Sequence, residues 1–124
     1  MPAAQLSAAQ LHELILPLAQ PPQVVLAPGQ TITEALRTIR ATAAAASIHY
    51  FYVVDAEQIL VGVVPARRLL MAEPEQLVSE VMIDNVVAIP DWATVLIASE
   101  YFATRRLLAF PVVNAKGNLL GVVD

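Results

Sequence analysis

The stretch from Ile48 to Val64, IHYFYVVDAEQILVGVV, recurs further along the chain, from Leu107 to Val123, as LLAFPVVNAKGNLLGVV. Eight of the 17 aligned positions are identical, and Asp55 is matched by Asn114. Aromatic and β-branched residues on both sides of a short polar stretch predict a β-hairpin in each copy. The chain is therefore predicted to contain an internal repeat, and this repeat decides the fold.

Each hairpin is preceded by the signals of a strand and a helix. Val24–Ala27 and Val86–Ile89 are short apolar runs that predict buried strands. Thr31 followed three residues later by Glu34 is a capping-box pattern, which predicts the start of a helix. Asp91 is the candidate N-cap of the corresponding helix in the second copy.

The two copies differ in length and at their ends. In the alignment of the two copies Pro28 matches Pro90. The sequence distance between these prolines is three residues longer than the distance between matching residues of the two hairpins. The first copy is therefore expected to contain three extra residues, in or near the alanine-rich stretch after Ile39. A helix over Ala66–Met71 is predicted after the first hairpin. The second copy stops at Asp124 without this last helix, so we expect the natural chain to continue.

The predicted fold class is α/β (α+β), with two β-α-β-β-α repeats packed sheet to sheet. A short helix is predicted ahead of the repeats. Ser7 and Gln10 form a second capping-box pattern, and an apolar stripe recurs at helical spacing over Leu11, Leu14, Ile15 and Leu18. The expected regions are an N-terminal helix with a proline-rich linker (residues 1–22), repeat 1 (23–82) and repeat 2 (83–124). The sequence leaves open whether the N-terminal helix packs on its own chain or on a second copy.

The composition excludes several classes of function. The chain is 57% hydrophobic and 15% charged with a formal net charge of −4, which predicts a compact domain that does not bind nucleic acid. No apolar run reaches the roughly 20 residues that a membrane span needs, so the surplus hydrophobicity predicts a buried interface, as in a homodimer. The absence of cysteine and of a signal peptide predicts a cytoplasmic location, which includes the cytosolic face of a membrane protein.

The repeated pattern over residues 24–124 resembles the CBS domain family. Its signature is a strand ending in Val-Val-Asp (residues 53–55), a turn, and Leu-x-Gly-Val-Val (60–64) followed by a helix. The second copy carries it at residues 112–114 and 119–123, and the link over residues 77–82 is similar to the segment between repeats in that family. A narrower resemblance, to the cytosolic CBS pair of MgtE-type magnesium transporters, is carried by residues 48–55, 67–70 and 80–82.

The resemblance implies a regulatory module rather than an enzyme. Such a module would bind AMP, ADP or ATP, or report Mg²⁺, and pass that state to a linked effector such as a membrane transporter. No cofactor is expected to be needed for folding. The alternative is a structural module that has lost nucleotide binding and only dimerises. An enzyme is disfavoured, because no nucleophile with a base and no acid–base pair stands out.

The resemblance also makes Gly62 and the residues that follow the return strand candidate nucleotide contacts. In nucleotide-binding CBS pairs a Ser or Thr follows the return strand, with an Asp three residues later. Pro65 and Arg68 stand at these positions here, and neither side chain can accept a hydrogen bond from a ribose hydroxyl. Arg67 and Arg68 are candidate phosphate ligands, against the alternative of a solvated helix face. In the second copy Asp124 takes the Ser/Thr place.

Three further residues are candidates for contact with an adenine ring. Tyr52, Phe110 and Pro111 stand where the family presents aromatic or apolar surface to the base. Packing in the core is the interpretation that we favour, because large rings in strands are usually buried.

Four acidic residues between the repeats are candidate Mg²⁺ ligands, namely Glu73, Glu75, Glu80 and Asp84. Magnesium is commonly held by one or two carboxylates together with water, so these residues could meet acids of another domain across the ion. A solvated linker is the simpler interpretation.

Overall fold

The computed structural model describes residues 7–42 and 48–124. The chain divides into two compact units. The first unit, Pro22–Val86, contains repeat 1, and the second unit joins the N-terminal segment up to Pro21 with Val87–Asp124. The N-terminal segment therefore packs on repeat 2 of its own chain. Residues 43–47, in the alanine-rich stretch where the extra residues of the first copy were expected, lie outside the described residues.

The elements follow the order expected of a repeated β-α-β-β unit. In chain order they are α1 (Ala8–Leu11), a 3₁₀ turn (Leu16–Leu18), β1 (Val25–Leu26), α2 (Ile32–Arg40), β2 (Tyr50–Val54), β3 (Leu60–Pro65), α3 (Ala66–Met71), α4 (Val78–Val81), β4 (Ile89–Pro90), α5 (Val95–Arg105), β5 (Phe110–Val113) and β6 (Leu119–Val123).

Each unit contains a three-stranded mixed sheet with the same topology. The strand orders are β1-β2-β3 and β4-β5-β6. The first strand of each sheet pairs parallel with the second, after a helical crossover, and the second and third strands form an antiparallel hairpin. The predicted α+β fold class and both predicted hairpins are confirmed.

The two hairpin turns are built alike. The Oδ1 atom of Asp55 accepts hydrogen bonds from two main-chain N–H groups of its turn at 2.9 and 3.0 Å. The Oδ1 atom of Asn114 accepts the equivalent pair at 3.0 and 2.9 Å. Both turns contain a residue with positive φ, which is Gln58 at 66° in the first and Gly117 at 87° in the second. The Asp/Asn match in the sequence therefore reflects a shared Asx turn.

Alternation along the hairpin strands builds one core in each unit. Phe51 and Val53 face the core of the first unit, and Phe110 and Val112 face that of the second. Each core is completed by the helices of its own unit, with Ile32 from α2 as an example in the first. This is the period of two expected for strands with one face against helices.

The helix starts were only partly predicted by the sequence. The Thr31–Glu34 capping box is present, and the main-chain N–H of Thr31 donates to Glu34 Oε1 at 3.1 Å, which holds the pKa of Glu34 below its usual value. Asp91 is not the N-cap of α5, so that prediction was wrong. Thr94 is the cap, and its Oγ1 accepts from the N–H of Ile97 at 3.3 Å.

The predicted N-terminal helix is shorter than its apolar stripe suggests. The Ser7–Gln10 capping box forms, but α1 has one turn and buries no residue. The chain then extends, because Leu14 pairs with Thr94 in an antiparallel bridge and the N–H of Ile15 donates to Ala93. These hydrogen bonds to repeat 2 replace the helical ones, so the stripe serves a bound, extended segment.

The repeat register differs from the one suggested by the prolines. Leu26 pairs with Val53 and Ile89 with Val112, so Leu26 and Ile89 are the equivalent first-strand residues. These two residues lie one position further apart in the sequence than Pro28 and Pro90 do. Four extra residues, not three, therefore lie between the first strand and the hairpin of repeat 1. Strand pairing decides the register, and the proline match is offset by one position.

Candidate functional site

The end of β3 presents the candidate nucleotide residues of the first unit. Pro65 is the last residue of β3 and the N-cap of α3, with φ −59° and no side-chain cap. The first N–H of α3, that of Ala66, donates to the carbonyl of His49 at 2.9 Å. Pro65 thus turns the strand into the helix, and its ring offers no hydrogen bond to a ligand.

The two adjacent arginines of α3 have different surroundings. The Arg68 Nη1 atom donates to the carbonyl of Val81, the last residue of α4, at 3.1 Å. A cation at this point also complements the negative end of the short helix. Arg67 is exposed and makes no hydrogen bond or ion pair within the described part of the chain. Arg68 is therefore held by the fold, whereas Arg67 can reach a ligand.

Tyr52 lies in the middle strand of the first sheet, on the face opposite the core that contains Phe51. The residue is only 4% exposed and is paired with Val25 and Val63. Burial, with a smaller contribution from Tyr50, raises the pKa of the Tyr52 hydroxyl well above its usual value. The hydroxyl has no hydrogen-bond partner among residues 7–42 and 48–124. An unpaired hydroxyl can donate to a polar ligand that reaches it.

Phe110 is a core residue. It is fully buried, and the rings of Tyr101 and Phe102 pack edge-on against it at centroid distances of 5.7 and 4.8 Å. Its ring is therefore occupied by packing. Pro111, the next residue along β5, is also buried but lies on the other face of the strand, at the position equivalent to Tyr52.

Gly62 and Gly121 allow close approach of a neighbouring segment. A Cβ atom at Gly62 would overlap the side chain of Met82. A Cβ atom at Gly121 would lie 2.9 Å from the Cβ of Ala19 and 3.1 Å from the carbonyl oxygen of Gln20. Both glycines have a structural reason to lack a side chain, and Met82, Ala19 and Gln20 are neighbours that the sequence pattern did not reveal.

Asp124 follows β6 and is exposed. Val123, the preceding residue, pairs with Phe110 and is buried in the core of the second unit. The carboxylate is thus presented from the end of a fixed strand, at the place equivalent to Pro65 in the first unit.

The four candidate metal ligands are exposed and do not converge. Glu80 Oε1 accepts from the N–H of Leu77 at 2.8 Å at the start of α4, and the other candidates are Glu73, Glu75 and Asp84. No group of three or more histidine, aspartate or glutamate side chains within the described ranges is arranged to hold a metal ion. The carboxylates of this segment would need oxygen ligands from elsewhere to complete a magnesium shell.

Within the described residues, every helix is too short or too polar to cross a bilayer.

Comparison with known families and curated proteins gives consistent matches. The CBS domain family profile matches residues 16–75 and again residues 78–124. The magnesium transporter MgtE of Thermus thermophilus is 35% identical over 107 residues, which is 86% of this chain and 24% of that protein. MgtE of Bacillus subtilis is 34% identical over 97 residues, 75% of this chain and 21% of that protein. The chain thus spans about a quarter of the length of these relatives.

Comparison with solved structures points the same way. The cytosolic domain of the Mg²⁺ channel MgtE, solved in complex with ATP, superposes with a TM-score of 0.79 at 33% identity. That match covers 85% of this chain and 43% of the solved one. The family profile itself begins at residue 16, so it includes part of the N-terminal segment that packs on repeat 2.

Proposed function

Because the chain belongs to the CBS domain family, we propose that it is the regulatory part of an MgtE-type magnesium transporter, on the cytosolic side of the membrane, where it binds an adenine nucleotide or Mg²⁺. The observation that carries the proposal is the likeness to an MgtE cytosolic domain solved with ATP bound. The chain covers about a quarter of its curated relatives, so the rest of the protein would supply the linked membrane domain. The role is sensing, with no reaction catalysed.

The first unit supplies the groups for a nucleotide site. Arg67 is exposed and without a partner in the described residues, so its guanidinium is available to clamp a phosphate. The Tyr52 hydroxyl is available as a donor to a base or ribose. Pro65 and Arg68 cannot replace the hydroxyl and carboxylate found at their positions in nucleotide-binding relatives. Recognition here would therefore rest on phosphate and aromatic contact more than on the ribose.

A magnesium role would use the acidic segment between the repeats. Its candidates are solvated and lie on one short stretch of chain, at Glu73, Glu75, Glu80 and Asp84. They would bind Mg²⁺ together with acids from another domain or a second copy, which suits a module that reports the ion by changing its association.

The proposal is tested by thermal unfolding of the whole chain with AMP, ADP and ATP, each with and without Mg²⁺. A ligand at 100 times its dissociation constant adds about 2.7 kcal/mol to the free energy of unfolding. Arg67→Ala should abolish a nucleotide shift. Arg68→Ala is the matched control, because it should lower the baseline midpoint by removing the bond to Val81 while preserving the nucleotide shift. A chain that responds to no nucleotide and to no Mg²⁺ would contradict the proposal.

A second candidate function, dimerisation without ligand binding, is favoured by one surface. The helix α3 buries Leu69 but exposes the neighbouring Leu70 and Met71 at 81% and 84%. Two large apolar side chains at this exposure suit contact with a second copy. Analytical ultracentrifugation should then show a dimer that Leu70→Glu converts to a monomer, with unchanged secondary structure. A wild-type monomer would rule out this function.

A further inference from the structure

One end of the first hairpin, here called the β2–β3 corner (residues 49–50 and 65–67), brings the start of β2 next to the start of α3. Tyr50 and Pro65 are the last paired residues at this end. The N–H of Ala66 donates to the carbonyl of His49 at 2.9 Å, so the two segments stay together just beyond the last pair. His49 therefore lies beside the first turn of α3, which carries Arg67.

Two polar side chains of this corner are available to a ligand. The side chains of His49 and Arg67 are exposed, and neither makes a hydrogen bond or an ion pair within residues 7–42 and 48–124. The ring of His49 lies tilted against that of Tyr50, with 6.5 Å between the ring centroids. An imidazole and a guanidinium both donate hydrogen bonds, and the guanidinium is always charged. The corner thus presents two neighbouring donors that suit an anion.

The strand and helix of the corner lack the oxygen acceptors that would bind a sugar hydroxyl. From Ile59 to Ala72 the sequence contains no acidic, amide or hydroxyl side chain. Arg68 is a donor as well, and its Nη1 atom is already bonded to the carbonyl of Val81 at 3.1 Å. Ribose is commonly read by a carboxylate that accepts from its hydroxyls, whereas a phosphate needs donors. The residues of the corner therefore suit the phosphate groups of a ligand and not its sugar.

The corresponding corner of the second unit has a different character. In the shared register of the two hairpins, Leu108 stands at the place of His49 and Asp124 at that of Pro65. A leucine side chain offers no hydrogen bond, and a carboxylate repels a phosphate. The donor pair of the first unit is therefore not a general consequence of the repeated fold.

We propose that Arg67 and His49 together bind the phosphate groups of the ligand at the β2–β3 corner, and that the sugar is not read there. This inference rests on the proposed function and gives it a ligand class, a polyphosphate whose affinity depends on the number of its phosphates. ATP, 2′-deoxy-ATP and inorganic tripolyphosphate share this chemistry. His49 is a contact that the sequence pattern did not indicate.

The chain has two histidines, His12 and His49, which allow a direct test. The imidazole NMR signals of the whole chain are followed during titration with tripolyphosphate, ATP, 2′-deoxy-ATP and AMP. We expect the first three to shift the His49 signal, while the signal of His12, an exposed residue of the second unit, stays in place. The dissociation constants of ATP and 2′-deoxy-ATP should agree within about twofold, and AMP should bind about tenfold more weakly because it carries fewer charges.

Single substitutions assign the two contacts. Arg67→Ala should weaken ATP binding by at least about tenfold, and His49→Ala by about threefold or more, because each removes a donor to phosphate. Both side chains are exposed, so the fold should be retained. Arg68→Ala is the matched control, since it removes the same charge from the adjacent position, and it should change the dissociation constant by less than about twofold. Arg67→Lys keeps the charge without the planar fork and should bind ATP with intermediate affinity.

Three results would overturn the inference and leave the proposed function intact. They are a clear preference for ATP over 2′-deoxy-ATP, a His49 signal that does not move when ATP binds, and a His49 signal that moves with ATP but not with tripolyphosphate. Conversely, a His49 signal that moves with tripolyphosphate, in a chain that responds to no nucleotide and to no Mg²⁺, would refute the proposed function alone.

Discussion

An added methyl group at Gly121 tests how rigidly the N-terminal segment, which contacts β6 through Ala19 and Gln20, is held against repeat 2. In Gly121→Ala the new Cβ would lie 2.9 Å from the Cβ of Ala19 and 3.1 Å from the carbonyl oxygen of Gln20. Neither atom can move without the backbone, because the Cβ of Ala19 is bonded to it and the carbonyl oxygen of Gln20 is part of it. The carbonyl of Gln20 also accepts the N–H of Val122 at 2.8 Å, so it cannot move aside without weakening that bond.

Gly62→Ala provides the matched control in the first unit. Its new Cβ would overlap Met82, but the nearest atoms are the sulfur and Cγ of a flexible side chain. Methionine has three rotatable bonds and adapts to altered space at small cost. Replacing glycine in a strand also removes some backbone entropy from the unfolded chain, which offsets part of the strain.

Overpacking against fixed atoms costs about 1–3 kcal/mol, so we expect Gly121→Ala to lower the free energy of unfolding by roughly 2 kcal/mol. Gly62→Ala should stay within about 1 kcal/mol of the wild type. For a chain of this size the first change corresponds to a fall of roughly 8 °C in the thermal midpoint. Urea unfolding measures both variants, and hydrogen exchange at Val122 should accelerate only in Gly121→Ala. A larger loss in Gly62→Ala, or equal losses, would refute the reasoning.

Three further predictions concern the hairpins. Gln58→Gly should raise the free energy of unfolding by about 0.5–1 kcal/mol, because Gln58 has φ 66°, a conformation that glycine adopts without strain. Gly117→Gln should lower the free energy of unfolding by a similar amount. Urea midpoints that move in the same direction for the two variants would contradict this. Asp55→Ala should lower the free energy of unfolding by about 1–3 kcal/mol, because two hydrogen bonds of the turn are lost. Asp55→Asn, which copies Asn114, should retain most of the stability. Equal losses of stability in calorimetry would count against the Asx turn. Burial raises the pKa of Tyr52, so the unfolded chain loses this proton at a lower pH than the folded chain does. The wild type should therefore lose stability as the pH rises above 10, the usual pKa of tyrosine, and Tyr52→Phe should lose less. Identical alkaline unfolding curves for the two proteins would contradict this.

The local parts of the fold could be predicted from the sequence. The hairpins are specified by alternating β-branched and aromatic residues on both sides of Asp55 or Asn114, whose side chains close their own turns. The caps at Ser7 and Thr31 are likewise local, since each donor and acceptor lie three residues apart. Such interactions do not depend on the rest of the chain.

The N-terminal segment and the start of α5 could not be predicted in this way. The spacing of the apolar stripe indicates a helix through Leu18, but Leu14 bridges to Thr94 instead. Asp91 has the right residue type for a cap, yet Thr94 takes the role. In the first case pairing with a segment that is distant in the sequence competes with a local preference, and sequence spacing does not report such pairs.

In the candidate site, too, residue types indicated the candidates but only tertiary contacts distinguished their roles. Residue type alone made Arg67 and Arg68 equivalent phosphate ligands, and only the neighbouring end of α4 separates them, through the bond from Arg68 to Val81. Residue type also placed Tyr52 and Phe110 together as possible base contacts. The structure encloses Phe110 between two other rings, while the hydroxyl of Tyr52 has no partner in the described residues.

The sequence by itself determined the repeat, the two hairpins and the family, because these depend on residue patterns within short windows and on their recurrence along the chain. Only the tertiary structure decided the register of the two repeats, the packing of the N-terminal segment on repeat 2 and the different roles of the two arginines. The first two features depend on main-chain hydrogen bonds between distant segments, and the third depends on a side-chain hydrogen bond to the main-chain carbonyl of Val81. A backbone group is the same in every residue except proline, so its partner leaves almost no trace in the sequence.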